Sequence, residues 1–173
     1  MLEDLNPDEI ETLLTNEVIG RIGCHANGVT YVVPITYAYD DGYVYAHSKE
    51  GMKIQMMRLN PMVCFEIDNM EDPENWQSVV TWGRYEELKG NDQKSGLQKI
   101  TARLRSLKSS ETSMPSPETD GGHQNSMGPY KGIIYRIKLL EKSGKYERKD
   151  TGALVKPILN YGPRKLAIRT PGL

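Results

Sequence analysis

The sequence predicts a mainly β protein, a small barrel of about six antiparallel strands with a few helices. Between Val18 and about Glu87, short runs rich in Val, Ile, Tyr and Thr alternate with Gly, Asn, Asp and Pro, the pattern of strands joined by turns. Asn27-Gly28 and Asp40-Asp41-Gly42 leave room only for tight hairpins, so the strands they join run antiparallel. Three stretches have helical spacing, too few for a doubly wound sheet, which needs a helix between nearly every pair of strands.

The first element is a helix from Pro7 to about Asn16. Asn6 suits the N-cap, Pro7 the first helical position, and Glu9 completes a capping box, with Leu5 placed to staple onto Ile10. Ile10, Leu13 and Leu14 share one face, as a helix laid against a barrel end requires. Strands follow at Ile19–His25, Val29–Tyr39 and Tyr43–Ser48. Pro34 cannot donate to a sheet ladder, so its strand lies at an edge, is bulged, or bends where something else approaches the backbone. Lys49 to Leu59 breaks the alternation; Met52, Met56 and Leu59 recur at helical spacing and predict a short helix that Asn60-Pro61 ends.

Strand character returns at Met62–Asp68 and Ser78–Leu88, around an acidic loop at Asn69–Asn75, and Gly83 marks a bend or bulge. Asp92–Leu107 reads as a helix with Leu97, Ile100 and Leu104 on one face, weakened by Gly96. Ser109–Gly128, rich in Ser, Thr, Pro and Gly, reads as a mobile loop. Gly132–Leu140 supplies a last strand. These elements make one domain, residues 1–140, followed by a basic extension, 141–173, expected to lie over the surface or reach a partner subunit.

Lys and Arg number 22 against 23 Asp and Glu, and the two signs are interspersed. No broad basic footprint for nucleic acid results. The acidic N-terminus lacks the regions of a signal peptide, and no apolar run approaches the roughly 20 residues that span a bilayer, so a cytoplasmic protein without membrane contact is expected. Cys24 and Cys64 lie far apart in apolar surroundings and read as buried thiols rather than a disulfide scaffold or zinc site. The three histidines have no metal-ligand spacing; His25 and His123 read as surface residues. Gly-rich phosphate loops, zinc helices and nucleophile elbows are absent from the sequence.

Chemistry concentrates in two places. Tyr45 to Lys53 ends a strand and enters a helix, where free N–H groups, the Ser48 hydroxyl and the cations Lys49 and Lys53 can hold an anion. The alternative is that Ser48 only caps the helix and both lysines sit in water. His47 can donate to a ligand oxygen, ligate a metal, or satisfy a local carbonyl. Trp76 to Arg84 combines two indoles with small polar groups on a strand, which suits a planar heteroaromatic ligand, or else Trp76 and Trp82 anchor the barrel.

Taken in order, five segments resemble the pyridoxamine 5'-phosphate oxidase-related split barrels, particularly the branch of nitroimidazole-resistance-like proteins. They are Gly20-Arg21-Ile22-Gly23, Tyr31 to Tyr37, His47-Ser48 through Gly51-Met52-Lys53, Asn60 to Asp68, and Trp76-Gln77-Ser78-Val79-Val80 with Gly83-Arg84. The resemblance spans about Leu5 to Lys89. It implies a homodimer holding FMN, with FAD as the other possibility, between subunits. Carried across by position, Lys53 and Ser48 would hold the phosphate, with His47 beside the phosphate or ribityl chain. Pro34, Ile35, Thr36 and Tyr37 would run under the ring, and Trp76, Gln77, Ser78 and Val79 would approach from the adjacent strand or the partner subunit. Apolar residues such as Val79 and Tyr37, exposed on a lone barrel, would be covered by the dimer.

Gly51-Met52-Lys53 stands where pyridoxamine-phosphate oxidases carry Ser-Arg-Lys, one cation fewer, and the tail lacks their Arg and His substrate motif, so vitamin B6 oxidation is not expected. The activity implied is an FMN-dependent oxidoreductase passing electrons from NAD(P)H to a small acceptor such as a nitro compound or a flavin. No side chain is obliged to act as catalytic acid or base. Two rivals are a haem-binding or haem-degrading barrel with His47 as axial ligand, and a non-enzymatic flavin-binding module.

Overall fold

The structure, a computed structural model, describes residues 2–107 and 132–149. In chain order the elements are β1 (Leu2–Asp4), α1 (Pro7–Asn16), β2 (Ile19–Ala26), β3 (Val29–Asp40), β4 (Tyr43–Ser48), α2 (Met52–Leu59), β5 (Met62–Asp72), β6 (Asn75–Glu87), α3 (Gly90–Leu107) and β7 (Ile133–Glu147). Neighbours in the sheet run β1-β7-β4-β3-β2-β5-β6, and β6 pairs in turn with β7. Six antiparallel strands therefore close on themselves, with β1 added beside the end of β7.

Local chemistry accounts for the hairpins. Asn27 and Gly28 have φ of 51° and 77°, and Asp41 and Gly42 have 46° and 77°, the paired positive values of a two-residue turn whose twist matches its strands. At the start of α1 the Asn6 side chain accepts from the Glu9 N–H at 3.0 Å while the Glu9 carboxylate accepts from the Asn6 N–H at 2.9 Å. Leu5 and Ile10 meet over Gly144, where an added Cβ would lie 2.8 Å from each.

The barrel interior is filled by inward residues such as Ile22, Phe65, Ile67, Val79, Val44, Ala46 and Ile137, with Leu13 and Leu14 of α1 and Ile54 and Met57 of α2 joining the same core. A second cluster lies under α3, where Ile100 meets Ala38, Tyr45, Leu88 and Ile134. Gly96, which weakens α3 as a helix, is what lets it sit close: a Cβ there would fall 2.8 Å from Leu88 and 3.1 Å from Ile134. Gly83 marks a register shift in the β6–β7 ladder.

Three expectations are corrected. The stretch Asn69–Asn75 is mostly strand: β5 runs to Asp72 and β6 begins at Asn75, and the Asp72 carboxylate closes the turn on the Glu74 N–H at 2.8 Å and the Asn75 amide. Its acidic residues line an exposed rim, where no apolar alternation is needed. The last strand does not end at Leu140, nor does an extension begin at 141: β7 continues to Glu147, flanked by β6 and β1. Its outer half faces water, so polar residues disguise it. The short β1, all exposed, carries no sequence signal. The loop expected at Ser109–Gly128, His123 and the tail beyond Lys149 lie outside the described residues.

Candidate functional site

β3 and β4 begin as a hairpin and then part. Their ladder runs from Asp40↔Tyr43 only to Tyr37↔Ala46, whereas β3 stays paired with β2 from Thr36 back to Val29. The Tyr37 N–H bonds to the Val18 carbonyl at 3.0 Å, on the β2 side, so by alternation Thr36, Pro34 and Val32 direct their backbone groups the opposite way. Pro34 thus occupies a free edge at a position where its missing N–H costs no ladder bond. An edge was one of the three placements its sequence allows.

Into the gap between this edge and β4 comes the junction of β4 with α2. A cleft of about 240 Å³ results, lined by Tyr31, Val33 and the run Ser48 to Ile54. The N-cap of α2 is Gly51, in extended conformation and without a side-chain cap. The first helical bond joins the Gln55 N–H to the Gly51 carbonyl at 3.1 Å, leaving the N–H groups of Met52, Lys53 and Ile54 without intrahelical acceptors. A Cβ on Gly51 would meet nothing within 4 Å, so the residue that precedes those donors opens onto the cleft. Ser48 is not the cap; its hydroxyl donates to the Lys49 carbonyl at 2.8 Å.

Lys53 is half-buried. Desolvation holds its ammonium below the ordinary range, opposed only by the Cys24 thiol, and among the described residues no carboxylate offsets it. A partly desolvated cation beside uncapped helix donors favours an anion. The acid in the lining, Glu50, is engaged elsewhere: Arg58 Nη1 donates to both its oxygens at 3.0 Å. Cys24, below the cleft, is buried and its thiol is pushed up by desolvation, which makes it inert rather than nucleophilic. Cys64 is half-buried, also raised by desolvation first.

The structure sorts the expected site residues. Ser48, Lys49 and Lys53 converge on the cleft, and Pro34 and Thr36 lie along its open edge. Ile35 and Tyr37 do not: their backbone groups face β2 and their side chains are core. His47 sits on the exposed face of β4, alternate to Ser48 and outside the lining. Though the residue is exposed overall, partial desolvation of its imidazole first, then the charge of Lys53, holds it below its ordinary value.

Trp76, Gln77, Ser78 and Val79 are not brought to the cleft. The rung that carries Val32 passes through Gly23 and Cys64 to Trp82, so Trp76–Val79 lie three to six residues further along β6, roughly 10–20 Å. Nor does a lone barrel leave Val79 and Tyr37 in water: contrary to expectation they are 0% and 1% exposed, because both face the core. Residues exposed instead are Val32 at 59% and Trp82 at 43%, on one outer rung. Tyr31, Val33 and Glu50 were missed as lining, although the inward period of β3 placed Tyr31 and Val33 on one face.

A family model described as pyridoxamine 5'-phosphate oxidase matches residues 6–126. The chain belongs to that family. Among solved structures of like fold, the crystal structure of an FAD-binding protein from Mesorhizobium loti is 30% identical, with a TM-score of 0.66 covering 84% of this chain and 98% of that one. A Bacteroides thetaiotaomicron structure assigned to 5-nitroimidazole antibiotic resistance shares the fold at 18% identity, TM-score 0.63, covering 84% and 87%. An uncharacterized protein of Rhizobium meliloti (strain 1021) is 36% identical over 84 residues, 49% of this chain. The match spans 56%, little more than half, of that relative's length. No helix among the described residues is long and apolar enough to cross a membrane.

Proposed function

We propose that this family member is a homodimeric flavoprotein that holds FMN at the subunit interface and passes electrons from a reduced nicotinamide to a small acceptor, such as a nitro compound or another flavin. The observation that carries the reading is the half-buried Lys53, without an acidic partner among the described residues, at the uncapped start of α2 and opposite a free strand edge.

The residues present fit such a cofactor. Lys53 and the N–H groups of Met52 to Ile54 would receive a phosphate by charge-assisted hydrogen bonds. Ser48 would join them by turning its proton away from the Lys49 carbonyl, and His47 would stand at the cleft edge beside the ribityl chain. Within Pro34, Ile35, Thr36 and Tyr37, the Pro34 carbonyl and the Thr36 N–H point away from β2 and would meet the polar edge of a ring, while Ile35 and Tyr37 anchor that stretch to β2 and the core. When bound, the flavin supplies the redox chemistry; the chain fixes it, tunes it by hydrogen bonds and leaves one face accessible.

A second copy completes the site. A cleft of about 240 Å³ is smaller than the roughly 300–1,000 Å³ that usually enclose a ligand of this size. The exposed rung of Val32, Gly23, Cys64 and Trp82 offers an apolar face close to the cleft, and Trp76, Gln77 and Ser78 would reach the ring from the partner, whereas Val79 stays in the partner's own core. The Mesorhizobium loti relative is described as FAD-binding, so FAD is the competing flavin.

The deciding measurement is the absorption spectrum of the purified protein, with identification of the released chromophore. Twin flavin bands and released FMN are expected, and Lys53→Ala should lower occupancy. An unchanged occupancy in Lys53→Ala removes the phosphate assignment, and a Soret band in place of flavin bands overturns the reading.

A further inference from the structure

Glu50 is out of place in an anion cleft. It lies three residues before Lys53 and belongs to the lining, so a carboxylate stands where a phosphate is to be received. Like charges at this range oppose binding, and the opposition grows where water is partly excluded.

Arg58 resolves the conflict. From the last turn of α2, its Nη1 donates to both Glu50 oxygens at 3.0 Å. Its other edge forks onto Glu87 at the end of β6, Nε to Oε2 at 2.8 Å and Nη2 to Oε1 at 3.1 Å. The Tyr85 hydroxyl donates to the same Glu87 at 3.2 Å. One guanidinium thus ties the loop before α2 to the end of α2 and to the barrel wall, and draws the Glu50 carboxylate toward the helix C-terminus. Arg58 and Glu50 side chains are 43% and 53% exposed, and ion pairs so exposed contribute little to folding. The consequence of this one is electrostatic, at the cleft.

We propose that Arg58 is a positioning residue for anion binding: by clamping Glu50 to Glu87 it holds a carboxylate off the site formed by Lys53 and the start of α2. The inference rests on the flavin reading above. It requires that losing Arg58 harm ligands with a phosphate and spare those without one, and that neutralising Glu50 repair the loss.

The test measures FMN and riboflavin dissociation constants, by quenching of flavin fluorescence, for the flavin-stripped full-length protein and for Arg58→Met, Glu50→Gln and the double variant. Arg58→Met should weaken FMN about tenfold, the scale of one screened like charge, and change riboflavin less than about twofold. Glu50→Gln should bind FMN at least as tightly as the parent chain, and the double variant should recover most of the loss. Equal weakening of FMN and riboflavin by Arg58→Met, or no recovery in the double variant, overturns the proposal and leaves Arg58 a structural clamp. Should Arg58→Met fail to fold, Glu50→Gln decides alone, because weaker FMN binding in that variant contradicts a repulsive Glu50. A parent protein that binds riboflavin and FMN equally overturns the phosphate site, and with it this inference; one that binds neither overturns the flavin reading itself.

Discussion

The Tyr37 hydroxyl donates a 2.9 Å hydrogen bond to the carbonyl of Leu14, in the last turn of α1, where helix carbonyls have no partner of their own. Both residues are fully buried, and the Tyr37 ring meets Phe65 edge-on at 5.0 Å. Burial pushes the phenol far above its usual range, so it remains a donor at all working pH. Tyr37→Phe keeps the packing and strands the carbonyl. We expect a loss of about 1–2 kcal/mol in urea unfolding, with an unchanged m-value.

Gly83 is required by close approach rather than by conformation. A Cβ there would fall 2.6 Å from Ile137 Cγ2 and 2.7 Å from the Lys138 carbonyl, at the register shift that bends β6 over β7. Backbone cannot yield as a side chain tip can, so Gly83→Ala should cost about 1–3 kcal/mol. Calorimetry should show a lower Tm; an unchanged Tm would mean that the two strands separate freely at this rung.

These two positions show what was legible beforehand. Gly83 announced itself because a glycine inside an apolar strand run weakens the strand unless a bend or a close neighbour requires it; Pro34 and the Asn27-Gly28 turn did so through equally local backbone constraints. Tyr37 was read from a motif as a ring contact, but a motif does not say which way a strand residue points; the period of β3 turns its side chain into the core. The anion cleft was legible from Ser48 to Lys53 because local sequence builds it. Arg58 and Glu87, 29 positions apart, were not, since only the fold brings α2 beside β6. Nor was the outer half of β7, whose solvated face hides the alternation.

His47 carries the pH dependence. Packing and the charge of Lys53 lower its pKa, so the unfolded chain takes up the proton first, and the flavin-free fold loses stability as pH falls from the ordinary value of 6.5 toward the lowered one. A phosphate placed beside His47 and Lys53 favours the imidazolium and reverses that preference. FMN binding should therefore take up a proton, and His47 should add to affinity increasingly below about pH 6.5. The phosphate itself protonates near about pH 6, which weakens binding alike with or without the histidine. The readout is thus the ratio of FMN affinities between the parent chain and His47→Ala, near one at about pH 8 and rising toward about pH 5.5. A flat ratio places His47 away from the phosphate.

Trp82 tests whether the second copy and the flavin are linked. Its indole is 43% exposed on the same outer rung as Val32, with Gly23 and Cys64 between them, and a Cβ on Gly23 would touch both Val32 and Cys64 at ordinary contact distance. An indole left in water beside aliphatic neighbours is the kind of residue on which interfaces concentrate their energy. Trp82→Arg keeps the strand and puts charge into that face, so it should weaken self-association by at least about 2 kcal/mol, or roughly thirtyfold. If the flavin is shared between subunits, its affinity must fall with dimer population, and raising protein concentration should restore it, whereas a flavin held by one barrel would show no such dependence. Sedimentation velocity with detection at the flavin wavelength separates the two: the expected result is flavin migrating only with the dimer, and flavin on a monomer of the variant would show that one chain builds the whole site.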